Sequence, residues 1–337
     1  MRARPSLIAA LKQSSRHEDA LEFTQLFHSI NFAHTLRVSD AVLERYDAKK
    51  GLETTHEITK YLCRTDEGGT YLSAGVITAI FDEISTAACI LQDRTHRPGV
   101  SVALDVEVMA NITPGRSLRL KTWADKIGKS LAFLRLDLRD AASDQLVAVG
   151  KHCKYLPMAG VPFWDMAFTP LLYPIVRKSL LGLTRRHVAT GERVNTHDAS
   201  SIFDHFPLDN LTLENESDKG DERQRLQATR ASLHVKPRHC NGLFKMHGGA
   251  LAVAAEEIAL LDVAARKKES TSQAPRARAL SLHYLQANDR VVDLAAWTLQ
   301  DACEKSGGEE GGDDGLLTQI EVRRGGKLCN SGSIIWQ

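Results

Sequence analysis

The chain has 337 residues, of which 43% are hydrophobic and 25% are charged, and its formal net charge is +1. This is the composition of an ordinary globular protein, and the length allows two domains of about 150 residues each. A charge balance so close to zero gives no global field that would attract nucleic acid. No apolar run reaches the roughly 20 residues that a membrane span requires. We therefore expect neither a nucleic-acid partner nor a membrane-spanning segment.

The first 17 residues, MRARPSLIAALKQSSRH, carry four basic side chains before the first acidic residue, Glu18. Together with their leucines and serines they resemble a mitochondrial presequence, which would place the protein in the mitochondrion; otherwise we expect it in the cytoplasm. The same residues also fit a basic amphipathic first helix of the folded protein, and the sequence leaves both interpretations open.

The six cysteines include no CxxC pair and no spacing typical of a small disulfide scaffold, so we interpret them as reduced thiols of an intracellular protein. His152-Cys153 and His239-Cys240 do not fit a known zinc-ligand spacing. We therefore predict no metal site.

The first half of the chain predicts one long helix followed by a run of strands. Apolar residues at helical spacing indicate an early helix over residues 18–35, and two strands should follow at 36–46 and 51–63. After an Asp-Glu-Gly-Gly turn at 66–69, a long apolar helix is expected at about Ala74 to Gln92. Alternating patterns then predict strands at 100–109, 118–127, 131–138 and 145–156. These strands can bury the long helix if they form a sheet that wraps around it.

The segment NGLFKMHGGALAVAAEE, Asn241–Glu257, joins a polar turn to an apolar helix through His247-Gly248-Gly249. A helix that starts at two glycines presents free backbone N–H groups and the positive end of its dipole, and both can hold an oxyanion. The alternative interpretation is a tight turn before a core helix, with no role in binding. The same layout occurs 174 residues earlier, in Ser73–Glu83, and a carboxylate follows nine residues after the start of each motif.

This repeat predicts two domains of one fold. We place the first at 18–158, a linker with a short packed helix at 159–195, and the second at 196–337. The second copy should contain a helix at 200–206, the motif helix at about 250–261, and a Gly-rich acidic loop at 306–315. Its strands are predicted at 226–235, 278–285, 291–300, 316–323 and 327–336.

Two segments of the first half, PGVSVALDVEVMANITPG and KIGKSLAFLRLDLRDAASDQLVAVGKHCKYL, resemble small hotdog-fold acyl-CoA thioesterases of the PaaI type. The resemblance covers roughly residues 20–157, and the second copy shares it mainly in the motif. It implies an α+β fold of two hotdog domains, each an antiparallel sheet wrapped around a central helix, packed as an intramolecular pseudo-dimer. It also implies hydrolysis of acyl-CoA, with coenzyme A as part of the substrate and no separate cofactor.

In the resembled enzymes each site is shared by two hotdogs. One supplies Asn, His and the Gly N–H, and the other supplies a helix carboxylate and a strand hydroxyl. Carried over by position, the second copy keeps Asn241, His247 and Gly248, and the first copy keeps Asp82 and Ser101. These five residues predict one complete composite site.

A second, opposite site would form where the first copy supplies the helix start and the second copy supplies the carboxylate, and it is predicted to be degenerate. It would combine Ser73 and Gly75 with Glu256, and its hydroxyl position falls near Pro275. Fusion of two copies in one chain allows each copy to keep different site residues, because a fused pair, unlike a homodimer, need not have two identical sites.

The resemblance assigns a role to each residue of the composite site. Asp82 would act as general base on water or attack the carbonyl directly, and Gly248 N–H would bind the thioester oxygen. Asn241 would position the water or the carbonyl, His247 would orient the motif, and Ser101 would help to hold the water. We expect apolar surroundings to raise the pKa of Asp82.

Four lysines, Lys126, Lys129, Lys151 and Lys154, are candidates for binding the coenzyme A phosphates or are simply solvated strand ends.

Two other functions fit the same sequence. A catalytically weak tandem hotdog could be a structural subunit of a larger, mitochondrial assembly, since a fold does not determine a function. A hydratase or dehydratase acting on acyl thioesters would also use a His and a carboxylate. The sequence leaves open whether the chain forms further homo-oligomers.

Overall fold

A computed structural model describes residues 32–37, 42–47, 50–93, 99–156, 199–215, 227–241, 245–266, 275–286, 290–299 and 316–337. The predicted presequence, the linker helix at 159–195, the acidic loop and most of the predicted first helix lie outside the described residues. The boundaries proposed for the two domains therefore remain predictions.

The first half places one long helix inside an antiparallel sheet. Its elements are α1 (Phe32–Leu36), β1 (Val42–Asp47), β2 (Gly51–Glu57), β3 (Cys63–Asp66), β4 (Gly69–Leu72), α2 (Ala74–Gln92), β5 (Val100–Val108), β6 (Ser117–Ile127), β7 (Leu131–Asp140) and β8 (Leu146–Tyr155). The apolar helix α2 has Ser73 as its N-cap and buries most of its length against the sheet.

The second half repeats this plan. Its elements are β9 (Asp209–Asn215), β10 (Gln227–His234), α3 (Gly248–Arg266), β11 (Ala277–Tyr284), β12 (Val291–Leu299), β13 (Leu317–Arg324) and β14 (Lys327–Trp336). Its long helix, α3, is also buried over most of its length.

In the described residues the two halves share one twelve-stranded sheet, in the order β1-β2-β6-β7-β8-β5-β11-β14-β13-β12-β10-β9. The halves meet where β5 pairs antiparallel with β11, and Ser281 lies opposite Asp105 at the middle of that seam. A pseudo-twofold axis through this pair relates the halves. The predicted fold class, two hotdog domains packed as a pseudo-dimer, is confirmed.

Helices α2 and α3 pack closely because small residues stand where they meet. A Cβ on Gly249 would come within 2.7 Å of the Ala79 Cα, and one on Gly75 would come within 2.9 Å of the Ala252 carbonyl oxygen. Neither position therefore has room for a side chain. As a result, the N-terminus of each helix lies against the middle of the other.

Some predicted elements differ from the observed ones. The strand predicted at 51–63 ends at Glu57, and a 3₁₀ turn at Lys60–Leu62 separates it from β3. The short hairpin of β3 and β4 forms on either side of the predicted 66–69 turn. Strand β9 was not predicted, although Leu211 and Leu213 alternate with polar residues in it; both leucines are exposed.

Among the described helices, α2 is long and apolar enough to cross a membrane by composition alone. Within this structure, 83% of the most apolar 18-residue stretch of α2 is buried inside the protein, so α2 is a core helix of the first half.

Candidate active site between the two halves

Asp82 lies in the middle of α2 and is only 2% exposed. Its Oδ2 accepts a hydrogen bond of 2.9 Å from the Gly249 N–H, in the first turn of α3. Its Oδ1 accepts a hydrogen bond of 2.8 Å from the Ser101 hydroxyl on β5. The carboxylate of the first half thus reaches the positive end of the second half's helix.

The approach of Asp82 requires the glycine at position 248. A Cβ there would lie 2.5 Å from Asp82 Oδ2, closer than any side chain could pack. The HGG motif is therefore needed for close contact between the halves as well as for a free helix end.

His247 connects the helix end to both acidic residues of α2. Its Nδ1 accepts a hydrogen bond of 3.0 Å from the Gly249 N–H and lies 3.3 Å from Asp82 Oδ2. Its Nε2 lies 3.0 Å from Glu83 Oε2. The two carboxylates hold the ring from opposite sides, an arrangement that fixes its orientation. Glu83 was not among the site residues predicted from the sequence.

Lys154, on β8, carries a buried positive charge into the same site. It is 2% exposed, and its Nζ donates to the Thr86 hydroxyl at 2.8 Å and to the Ser101 hydroxyl at 3.3 Å. The same Nζ lies 3.5 Å from Asp82 Oδ1. This position differs from the surface position expected of a lysine that binds coenzyme A phosphates.

His152, two residues earlier on β8, is also buried. Its Nε2 lies 3.6 Å from Asp82 Oδ1, and its Nδ1 is 2.6 Å from the Ser85 hydroxyl. Burial and the nearby Lys154 lower the pKa of His152 to about 3, so the ring is neutral at physiological pH. The sequence analysis did not place this residue in the site.

The expectation that the pKa of Asp82 is raised was wrong. Burial, the largest single influence, does raise it, but His247, Lys154, His152 and the Ser101 hydroxyl together hold it well below its usual range. Burial lowers the pKa of His247, yet the carboxylates of Asp82 and Glu83 outweigh that effect and raise it. The site therefore pairs a stable carboxylate with an imidazole that is readily protonated.

Ser101 faces Asp82 because β5 is irregular at this point. Asp105 is exposed, and regular alternation would place Ser101 on the same outer face. The β5–β8 register shifts between Ser101 and Ala103, and this irregularity turns the Ser101 hydroxyl inward.

The remaining candidates lie further from Asp82 or are engaged locally. The side-chain oxygen of Asn241 accepts a hydrogen bond of 3.2 Å from the Lys245 N–H and so closes the turn before the HGG motif. The other three lysine candidates, Lys126, Lys129 and Lys151, are exposed on β6, the following turn and β8.

Comparison with known proteins agrees with this picture of the first half. Residues 69–147 match a family model described as the thioesterase superfamily. The human and mouse proteins named acyl-coenzyme A thioesterase 13 are each 35% identical to this chain, over 85 and 92 residues. The first half of the chain is therefore similar to members of the thioesterase superfamily.

The matched part is limited in both proteins. It makes up 25% to 27% of this chain and spans only 60% to 64% of the length of these two thioesterases.

Solved structures extend the fold comparison to both halves. The tesB protein of Mycobacterium avium subs paratuberculosis, 10% identical, aligns over 91% of this chain and 98% of its own, with a TM-score of 0.54. The 12:0-ACP thioesterase of Umbellularia californica, 12% identical, aligns over 86% of this chain and 95% of its own, with a TM-score of 0.50. At these identities the similarity shows the fold alone.

The opposite location in this protein is closed by its own carboxylate. Glu256 Oε1 accepts a hydrogen bond of 3.1 Å from the Ala74 N–H, and Oε2 accepts one of 3.0 Å from the Gly75 N–H. Both amides at the start of α2 are therefore taken, and Glu256 itself is 2% exposed. A substrate oxygen would have to displace this cap.

The sheet side of the opposite location has lost its polar groups. Through the pseudo-twofold axis, the strand pairings relate His152 to Ile334 and Lys154 to Trp336. The same register relates Ser101 to Ala277, next to the predicted Pro275 position, and neither of these residues has a hydroxyl. Apolar side chains thus replace the cation, the imidazole and the hydroxyl found around Asp82.

Replacing Glu256 by glutamine should lower the free energy of unfolding by about 1–2 kcal/mol, since it removes a buried negative charge from a helix N-terminus. Because this carboxylate lies outside the composite site, kcat for any thioester turned over by the protein should stay within about twofold of the wild type. Urea unfolding and steady-state kinetics on the same preparation check both statements. A large loss of turnover with unchanged stability would show that the opposite location is also active.

Proposed function

We propose that this protein hydrolyses acyl-CoA thioesters at the single composite site formed by Asp82 and Ser101 of the first half and Asn241, His247 and Gly248 of the second. The observation that carries the proposal is the contact of Asp82 with the N-terminal turn of α3, 2.9 Å from the Gly249 N–H. Acyl-CoA as the substrate class is supported by the thioesterases to which the first half is similar.

The residues at the site match the needs of thioester hydrolysis. The N-terminus of α3, with the Gly248 N–H, stabilises the negative oxygen of the tetrahedral intermediate. The carbonyl carbon is attacked either by a water whose proton passes to Asp82 or by Asp82 itself. The first route gives the free acid directly, whereas the second gives an acyl anhydride that water then cleaves. In both, the carbon–sulfur bond breaks and the sulfur of coenzyme A leaves as a thiolate, which takes the proton held by Asp82 in the first route and a proton from water in the second.

The low pKa of Asp82 bears on the choice between these routes. A carboxylate held anionic by His247, Lys154 and Ser101 is a weak base at neutral pH, and proton transfer to it is correspondingly unfavourable. The same groups keep it ionised, which is the form that attacks the carbonyl in the direct route. Hydrolysis in ¹⁸O water under single-turnover conditions tests for direct attack, because an unlabelled oxygen from Asp82 enters the first product molecule only when an anhydride forms and water opens it at the Asp82 carbonyl.

The purified protein should release free thiol from acyl-CoA, with a kcat that depends on acyl length, when assayed over a series from acetyl to palmitoyl. Thiol release is followed with a chromogenic disulfide, and enoyl-CoA hydration is measured in parallel. Enoyl-CoA turnover without thiol release would contradict hydrolysis in favour of a hydratase. If no acyl length is turned over, the proposal fails, and a structural subunit of a larger assembly becomes the better account.

Two further proposals concern the setting of this activity. We propose that Lys126, Lys129 and Lys151 bind the coenzyme A phosphates, since their charges are exposed. A mitochondrial location rests on residues 1–17 alone, and a fusion of these residues to a fluorescent protein tests it directly.

A further inference from the structure

Tyr284, at the end of β11, lies against the HGG turn. Its hydroxyl donates a hydrogen bond of 3.1 Å to the Gly248 carbonyl oxygen. Its ring lies so close to Gly248 that a Cβ there would be 3.2 Å from two ring carbons. The tyrosine therefore contacts the backbone of the motif on two sides, through its ring and through its hydroxyl.

The carbonyl that Tyr284 binds belongs to the same rigid peptide unit as the N–H that binds Asp82. A peptide bond is planar, so the Gly248 C=O and the Gly249 N–H turn together. One end of this unit is held by the Tyr284 hydroxyl and the other end donates to Asp82 Oδ2 at 2.9 Å. Gly248 also begins α3, so the helix restrains this plane, and the Tyr284 hydroxyl adds a contact from outside the helix where glycine provides no side chain of its own.

Tyr284 is suited to remain a donor. Burial and the nearby carboxylates of Asp82 and Asp105 raise its pKa well above the ordinary value, so its hydroxyl stays protonated over the physiological range.

The opposite location has no such contact. The pairing of β5 with β11 relates Tyr284 to Val108, which has no hydroxyl. There the amides at the start of α2 are held by Glu256 instead. The position related to Tyr284 therefore holds no tyrosine at the opposite location.

We infer that Tyr284 is a positioning residue for the composite site. It holds the Gly248–Gly249 peptide so that its N–H anchors Asp82 and the helix end stays open to the substrate oxygen. This inference rests on the proposed thioesterase function for its kinetic consequence, but not for its structural one.

The test replaces Tyr284 by phenylalanine, which removes the hydroxyl and keeps the ring. We expect kcat for acyl-CoA hydrolysis to fall by about tenfold to a hundredfold with KM nearly unchanged, because a misplaced reacting group affects the transition state more than binding. In ¹⁵N-glycine-labelled protein, the Gly249 amide resonance should shift in Tyr284→Phe, and it should also shift in Asp82→Asn.

Tyr46→Phe is the matched control. The Tyr46 hydroxyl also donates to a main-chain carbonyl, that of Leu91, at 2.6 Å, but it lies away from the composite site. This variant should lose similar stability while kcat and the Gly249 resonance stay as in the wild type.

The outcomes separate the inference from the proposed function. If the wild type hydrolyses acyl-CoA and Tyr284→Phe keeps its kcat, the inference is overturned. If the wild type is inert, the amide resonance decides: a shift supports the positioning role and an unchanged resonance overturns it, while the proposed function fails in either case.

Discussion

Asp82→Asn should lower kcat for acyl-CoA hydrolysis by about 10²–10⁴-fold, the range expected when a catalytic base or nucleophile is removed. Asparagine keeps the shape of the side chain and can still accept the Gly249 N–H. It cannot accept a proton from water at neutral pH, and its amide is a poor nucleophile. The loss should therefore appear in kcat, whether Asp82 activates water or attacks the carbonyl itself.

Steady-state kinetics on the acyl length that the wild type turns over best would measure this loss. Ser101→Ala should give a smaller loss, about tenfold, since Asp82 keeps its contacts with Gly249 and His247. Glu256→Gln is the matched control, because it neutralises the carboxylate at the corresponding position of α3. If Asp82→Asn keeps the wild-type kcat and Glu256→Gln loses it, the active site lies at the opposite location instead.

The sequence predicted the fold well where local pattern and packing agree. The long helix was expected at about Ala74 to Gln92 and forms over those residues, because Ser73 caps its start and it contains one glycine and no proline. The two-copy plan followed from the repeated motif, since each copy has a carboxylate nine residues after the motif's first residue, on the helix that the motif starts.

The geometry of the site was harder to predict because it depends on strand registers and on the pairing of β5 with β11, where the two halves meet. The inward position of Ser101 depends on an irregularity of β5 that simple alternation would miss. Lys154 was predicted to bind the coenzyme A phosphates or to be a solvated strand end, and both interpretations place it at the surface. Alternation along β8 could have shown otherwise, since Lys154 shares a strand face with the buried His152 and Leu156.

The pKa of Asp82 could not be predicted without the tertiary structure. Its sequence neighbours on α2 are mostly apolar, and burial alone would raise the pKa. The groups that reverse the direction come from β5, β8 and the other half of the chain, and only the pseudo-dimer brings them together. The same applies to Glu83, whose partner His247 is 164 residues away in the sequence.

Asp82→Asn should also lower the free energy of unfolding by about 3–5 kcal/mol, because it leaves the ammonium group of Lys154 buried without its carboxylate. Adding Lys154→Met removes that charge and fills the same space with an apolar chain of similar length. The double variant should therefore recover most of the lost stability while it remains catalytically inert. It thereby separates loss of activity from loss of folding.

A double-mutant cycle measures this coupling. Urea unfolding of the wild type, the two single variants and the double variant should give an interaction free energy of about 2 kcal/mol or more at pH 7. The pKa of Asp82 is depressed in the folded state, so its contribution to stability is full above its unfolded pKa of about 4 and is lost as the pH falls toward the folded value. The stability difference between wild type and Asp82→Asn should therefore shrink below about pH 4. Additive single effects at pH 7 would show that Lys154 and Asp82 are independent, and that the low pKa of Asp82 depends on His247 and Ser101 instead.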